Sequence, residues 1–152
     1  VPENDNTIVA IEEPFTFCIE GIDIPLIGVM DLVEEDPDGT LIITDYKTSK
    51  RAMAISEVDK NFQLTIYYTA AKANGYADRE INLKFDCLIK TQTPKFEQIY
   101  TARSSDHTAR ALKKIKHVYD GILKGVFVPN DNSWRCSGCS YRSHCDNWFK
   151  NK

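Results

Sequence analysis

Asp36-Pro37-Asp38-Gly39-Thr40 constrains this chain more than any other stretch, because it interrupts two runs rich in Ile, Leu and Val. A connection of this kind suits a type I turn closed by a glycine in the left-handed conformation. That bulge joins two antiparallel strands in one fixed register. Asp36 then pairs with Thr40, and counting outward places Asp31 directly opposite Asp45. Side chains alternate along a strand, so Lys47 shares a face with Asp45. Two carboxylates and an amine gather at one end of a hairpin that is otherwise apolar on both faces. Ile27, Val29 and Ile43 lie on one face, and Leu26, Met30 and Ile42 on the other.

This arrangement is costly. Opposed carboxylates repel each other, and partial burial adds a desolvation penalty. A divalent cation relieves both, and hard oxygen ligands favour Mg²⁺ or Mn²⁺. The backbone carbonyl of Tyr46, between the two charged residues, is a candidate third ligand. An ammonium such as Lys47 near a metal-bound water could orient that water or stabilise charge on a phosphate. The metal would lower the water's pKa and polarise the phosphoryl oxygen. The same residues also fit an inert, partly solvated Lys-Asp pair at a strand end, and spacing alone does not choose between the two.

The rest of the chain reads as one α/β or α+β domain. Strands over 15–19, 25–34 and 41–47 form an antiparallel meander, with a turn over 21–23. A helix is expected over 56–73, with Ser56 as N-cap and Glu57 and Asp59 in its first turn. Phe62, Ile66, Ala70 and Ala73 lie along one face of it, and Asn74-Gly75 stops it. Strands over 81–90 and 96–101 and a helix over 105–124 follow. The order is βββ-α-ββ-α, with a core over 15–127 and a metal-binding tail over 128–152 that has little regular pattern. No repeat, low-complexity tract or linker interrupts it.

Composition narrows the function classes. The 152 residues suit a single domain. Apolar residues at 42% and charged residues at 27% are an ordinary soluble balance. The formal net charge of −3 means that any surface for nucleic acid must be local. No apolar run approaches a membrane span, no signal peptide opens the chain, and no membrane partner is expected. The chain opens at Val1 with a polar lead over 1–6 and is expected to be a piece of a longer protein. Five cysteines, an odd number, argue against a disulfide scaffold and point to metal in a reducing compartment, here the cytoplasm.

Three further constellations carry chemistry. Gln63 and Tyr67 share a helix face, and a glutamine so placed needs a hydrogen-bonding partner. A rim glutamine beside a core tyrosine is the plainer alternative. Cys136, Cys139 and Cys145 are spaced to chelate one zinc ion or iron–sulfur cluster. Both centres take four ligands, and His144 would strain to join its neighbour Cys145 on one ion. Cys18 and Cys87 lie in apolar strand patterns and read as small core residues. On the helix over 105–124, Arg110, Lys113, Lys114 and His117 fall in one arc opposite Leu112, Ile115, Val118, Tyr119 and Ile122. A basic stripe of this kind either tracks backbone phosphates or is simply a solvated face.

Gly28-Val29-Met30-Asp31, followed by Ile42-Ile43-Thr44-Asp45-Tyr46-Lys47-Thr48-Ser49, resembles the signature of RecB-like nucleases of the PD-(D/E)XK family. Gln63-Leu64-Thr65-Ile66-Tyr67 matches that family's Gln-x-x-x-Tyr helix. Trp134-Arg135-Cys136-Ser137-Gly138-Cys139-Ser140-Tyr141, with Cys145, is similar to the tail of its iron–sulfur branch, as in CRISPR-associated and AddB-type nuclease domains. The resemblance covers about 15–145 and implies a restriction-endonuclease-like core, a mixed central sheet flanked by helices. It implies that Asp31 and Asp45 are metal ligands, that Lys47 is catalytic, and that Gln63 and Tyr67 position the active site or the DNA strand. It implies a 4Fe–4S cluster in the full-length protein, held by Cys136, Cys139, Cys145 and a fourth cysteine upstream of the first strand. That cysteine, and the family's N-terminal helix with its further metal ligand, are not in this sequence. The implied activity is metal-dependent DNA exonuclease action, in repair, recombination or phage or CRISPR DNA processing, with a helicase or recombination partner. Two other readings stand beside it, an inactive DNA-binding or scaffold module and a zinc-binding interaction domain. The complete Asp31, Asp45 and Lys47 set speaks against the first, and the second leaves the Asp45/Lys47 strand unexplained.

Overall fold

The structure, a computed structural model, describes residues 5–150. Residues 1–4, at the start of the polar lead, and 151–152 lie outside the described residues. The strands are β1 (Thr7–Phe17), β2 (Leu26–Glu35), β3 (Leu41–Ser49), β4 (Ile81–Ile89) and β5 (Lys95–Ala102). The helices are α1 (Ile55–Asp59), α2 (Phe62–Ala73), α3 (Ser105–Leu123) and α4 (Arg142–Lys150), with a 3-10 turn at Trp134–Gly138. The sheet runs in the order β1-β2-β3-β4-β5. Only β3 and β4 are parallel, and α1 and α2 fill the crossover between them. The fold is therefore a mixed sheet flanked by helices.

The turn sets the register as its residues dictate. Gly39 takes φ +85°, a conformation that side chains disfavour. Its N–H donates to Asp36 O at 2.9 Å, and Asp36 N–H donates to Thr40 O at 3.0 Å. Asp36 Oδ1 also accepts from the N–H groups of Asp38 and Thr40 at 3.0 and 2.9 Å. The ladder runs outward from Glu35↔Leu41 and stops at Leu32↔Thr44. The next donor on β3, Tyr46 N–H, goes to the Asp31 carboxylate at 3.0 Å. Beyond that point β2 pairs only with β1, and β3 only with β4. The sheet therefore forks between Asp31 and Asp45, where the register would have set two carboxylates face to face.

The core fills one side of this sheet. Leu64, Tyr67, Ala70 and Ala71 of α2 pack with Val33, Ile43, Leu83, Phe85 and Phe15. A fully buried side chain of this size contributes about 1.5–3 kcal/mol. Gly28 pairs with Phe15 across β1 and β2, and the phenyl ring lies over it. A Cβ at position 28 would come within 2.8 Å of Phe15 Cε1 and closer still to Cζ. The Phe15 ring also meets Tyr67 edge-on, with centroids 6.0 Å apart.

The other side carries charge. Lys84 and Asp86 alternate with Leu83, Phe85 and Cys87 along β4, which turns them away from the core face. Lys84 Nζ lies 3.2 Å from Glu34 Oε2 and 3.7 Å from Asp86 Oδ2. Thr44 Oγ1 donates to Glu34 at 3.4 Å and Gln98 Nε2 to Asp86 at 3.0 Å. Lys84 is only 2% exposed.

Several expectations need correction. The helix over 56–73 is two helices: the first stops at Asp59 with Lys60 as its C-cap, and Asn61 caps the second, its Oδ1 accepting Leu64 N–H at 3.1 Å. Ser56 is not a cap. α1 starts after Ala54, whose N–H donates to Glu57 at 3.0 Å. Arg51 and that N–H hold the Glu57 carboxyl down at about 2. Phe62 is 45% exposed and Ala73 is exposed, so only part of the expected apolar face is buried. Ile27 and Val29 are exposed, and so is Cys18, just past the end of β1, while Cys87 is buried. β1 starts eight residues earlier than expected. A register shift between Ile8 and Ala10 and a left-handed Glu12, φ 50°, interrupt this edge strand.

The chain divides into two compact units, Val1–Lys116 and His117–Lys152. The first contains the sheet with α1 and α2. The second contains the 3-10 turn and α4, so the tail is more regular than its sequence suggests. Along α3, Ala111 is buried and Leu112 and Ile115 are partly buried, but Val118 and Ile122 are exposed, so the apolar stripe is shorter than expected.

Candidate active site

The fork brings Asp31, Asp45, Lys47, Gln63 and Tyr67 together. Asp45 is 2% exposed, and its Oδ1 accepts from Gln63 Nε2 at 2.6 Å and from Tyr67 OH at 3.3 Å. Gln63 Nε2 also donates to Tyr67 OH at 2.8 Å, and Lys47 Nζ donates to Gln63 Oε1 at 2.8 Å. Gln63 is thus the hub of the cluster. Residues 63 and 67 reach Asp45 together because they are one helical turn apart.

Asp45 Oδ2 is different. Lys47 Nζ lies 2.5 Å from it as an ion pair. This buried oxygen has the Lys47 ammonium beside it and no further partner. Burial raises the Asp45 pKa, the Lys47 hydrogen bond and charge lower it, and the Asp31 charge raises it. Tyr67, desolvated first of all and facing Asp45, is pushed up to about 12, so its hydroxyl stays a donor. Lys47, one-third exposed, sits over the Phe85 ring, 5.2 Å from its centroid. Phe85 was missed in the sequence. It is the parallel partner of Asp45, a relation visible only once β3 and β4 are known to pair.

The fork suits a hard divalent cation. It offers the carboxylates of Asp31 and Asp45 beside the Tyr46 backbone. Among the described residues no three His, Cys, Asp or Glu side chains gather closely enough to hold an ion, the tail cysteines included, so the side chains of the fork would supply two ligands rather than a complete cage.

In the second unit, Cys136, Cys139 and Cys145 line one cavity of about 110 Å³ together with Asp131, Arg142 and Asp146. The Cys136 thiol is turned toward the carbonyls of Asn130 and Asp131, at 3.6 and 3.7 Å. Partial desolvation and the nearby Asp146 and Asp131 raise the Cys145 thiol. His144 is not among the residues lining that cavity; its ring lies 6.3 Å from that of Tyr141. Arg110, Lys113 and Lys114 are exposed on α3.

A family model described as the PD-(D/E)XK nuclease superfamily matches residues 2–146. No curated protein matches the chain. Among solved structures, a candidate exonuclease from Eubacterium rectale superposes with a TM-score of 0.59 at 15% identity, over 89% of this chain and 51% of that one. The crystal structure of SSO0001 gives a TM-score of 0.52 at 16% identity, over 91% of this chain and 60% of that one. The chain thus spans a little over half the length of these structures. At such identities the likeness establishes a shared restriction-endonuclease-like fold.

Proposed function

The chain belongs to the PD-(D/E)XK nuclease superfamily, and from that premise we propose that it is a metal-dependent DNA exonuclease that hydrolyses phosphodiester bonds. The observation that carries this reading is the buried Asp45 carboxylate, paired with a part-exposed Lys47 and tied to Gln63 and Tyr67 where the sheet forks beside Asp31.

Asp31, Asp45 and the Tyr46 carbonyl would hold Mg²⁺ or Mn²⁺. When bound, such an ion lowers the pKa of its water and polarises a phosphoryl oxygen. Lys47 places a fixed positive charge where negative charge builds on the phosphate, and a preorganised donor there is worth about 2.7–4 kcal/mol. Gln63 holds Lys47 and Asp45 in one geometry through both ends of its amide. Tyr67 keeps Asp45 Oδ1 hydrogen-bonded and leaves Oδ2 for the ion. Arg110, Lys113 and Lys114 supply positive charge for DNA.

We read the chain as a single nuclease domain, RecB-like and part of a longer protein, with its tail over 128–152 bound to metal. The order of its motifs supports that reading. The spacing of Cys136, Cys139 and Cys145 is the ground for proposing a 4Fe–4S cluster in the full-length protein, with zinc as the colourless alternative. The surroundings proposed are cytoplasmic DNA repair, recombination or phage or CRISPR processing, beside a helicase or recombination partner. The test is a nuclease assay of the full-length protein on end-labelled single- and double-stranded DNA with Mg²⁺ or Mn²⁺, wild type beside Lys47→Ala. Metal-dependent degradation that vanishes in the variant is the expected result. An intact wild type that degrades neither substrate overturns the reading in favour of a DNA-binding scaffold.

A further inference from the structure

Within the first unit lies a cleft of about 370 Å³ lined by Lys60, Phe62, His107, Arg110 and Lys114, with Asp59 as its one carboxylate. Three fixed positive charges therefore face one negative charge. Asp59 is already engaged, its Oδ1 accepting from Thr101 Oγ1 at 2.8 Å. Lys47, Arg51, Arg79 and Lys84 in the same unit each have an acidic partner. Arg103 is saturated by hydroxyls and carbonyls. The side chains of Lys60, Arg110 and Lys114 have no hydrogen bond or ion pair to the described residues. Three cations facing one carboxylate in a concave site leave a net positive charge that attracts an anion.

Two details shape the anion. His107 Nδ1 accepts Ser104 N–H at 3.1 Å, so a neutral imidazole carries its proton on Nε2 and presents a donor. Phe62 offers an exposed ring on the first turn of α2, and the next residue, Gln63, hydrogen-bonds Asp45. Their Cα atoms are about 3.8 Å apart, so the cleft and the catalytic fork adjoin through one turn of helix. Lys113, on the same basic stripe, does not line the cleft.

We infer that this cleft holds the backbone of the nucleic-acid strand cut at the fork, with Lys60, His107, Arg110 and Lys114 on phosphates and Phe62 against a base. The inference rests on the nuclease reading above and deepens it. It replaces an undifferentiated stripe on α3 with a defined subsite that α1, α2 and α3 border together.

The experiment is fluorescence anisotropy of a labelled oligothymidylate with the full chain in EDTA, across a salt series. Each phosphate contact on a single strand adds about 0.7 to the slope of log K against log salt. The triple variant Lys60→Ala/Arg110→Ala/Lys114→Ala should lower that slope by about 2, and Phe62→Ala should weaken binding about tenfold at constant slope. The charge-keeping Lys60→Arg/Arg110→Lys/Lys114→Arg should restore the slope. Lys90→Ala/Lys95→Ala, at exposed positions just past β4 and at the start of β5, should leave it unchanged. Circular dichroism confirms that each variant is folded. An unchanged slope in the triple variant overturns the inference, and so does wild-type binding of polyglutamate in preference to the oligonucleotide. If Lys47→Ala abolishes hydrolysis while the triple variant keeps its slope, the cleft falls and the nuclease stands. If no hydrolysis is found but the slope drops, the nuclease falls and the cleft stands.

Discussion

Asp45-Tyr46-Lys47 on β3 and Lys84-Phe85-Asp86 on β4 are one pattern read in opposite directions on neighbouring strands. The parallel register sets Thr44 beside Lys84 and Tyr46 beside Asp86, so the two charge pairs are one residue out of step and face opposite sides of the sheet. Their surroundings then diverge. Lys84 is closed in by Glu34, Asp86 and the Tyr100 ring, and both carboxylates also accept from neutral donors. Lys47 is one-third exposed, and it is the sole partner of Asp45 Oδ2. Residue type and spacing are the same in both places. What separates a structural cluster from a candidate reactive one is a cation within reach of solvent.

The sharpest way to break this contrast is to remove each lysine in turn. Lys84→Met leaves two buried carboxylates without their cation and should cost about 3–5 kcal/mol of stability in urea denaturation. A loss under about 1 kcal/mol would make that cluster as dispensable as a surface pair. Lys47→Ala should instead lower kcat by about 10²–10³-fold while shifting the urea midpoint little, because its ammonium is screened by solvent. Equal stability losses for the two lysines would erase the distinction.

Metal should act on one cluster only. At a hundred times its dissociation constant, Mg²⁺ or Mn²⁺ should stabilise the protein by about 2.7 kcal/mol, read as a rise in Tm that Asp45→Asn abolishes and Lys84→Met keeps. Tyr67→Phe removes one of two donors to Asp45 Oδ1 and should cost about 1 kcal/mol, with kcat falling less than in Lys47→Ala. The smallest effect is a titration. Burial raises the Asp45 pKa, so the metal-free native state binds that proton more tightly than the unfolded chain does. The Asp45 contribution to stability is therefore present below the ordinary carboxylate pKa and is lost as pH rises through the raised value. Lys47 opposes the rise, so Lys47→Met should move the Asp45 carboxyl resonance to titrate at still higher pH. A downward shift would mean that Lys47 does not govern that carboxylate.

Much of this was legible in the sequence because it depends on local rules. The Asp-Pro-Asp-Gly turn fixes a register, alternation puts Asp45 and Lys47 on one face, and helical spacing aligns Gln63 with Tyr67. The fork was not legible, since the same register extrapolates to a continuous ladder, and it takes a side chain, Asp31, to capture the Tyr46 N–H. The break at Asn61 was hidden because one polar residue inside a helical pattern reads as exposed, and only its side-chain bond to Leu64 N–H reveals a cap. Lys84 looked like a solvated position in an alternating strand, and its burial depends on Glu34, fifty residues away in sequence. Lys60 and His107 belong to no motif, and the cleft that they line exists only after three helices meet.

The glycine at position 28 is dictated by the aromatic ring lying over it rather than by its own backbone. Any side chain there would drive Phe15 out of place, and Phe15 is the ring that abuts Tyr67. Positions 15 and 28 are therefore an evolutionary couple, in which a lineage can add a methyl at one only after trimming the ring at the other. An engineer who swaps either alone would be editing the hydroxyl that steadies Asp45, at the far end of a relay of three side chains.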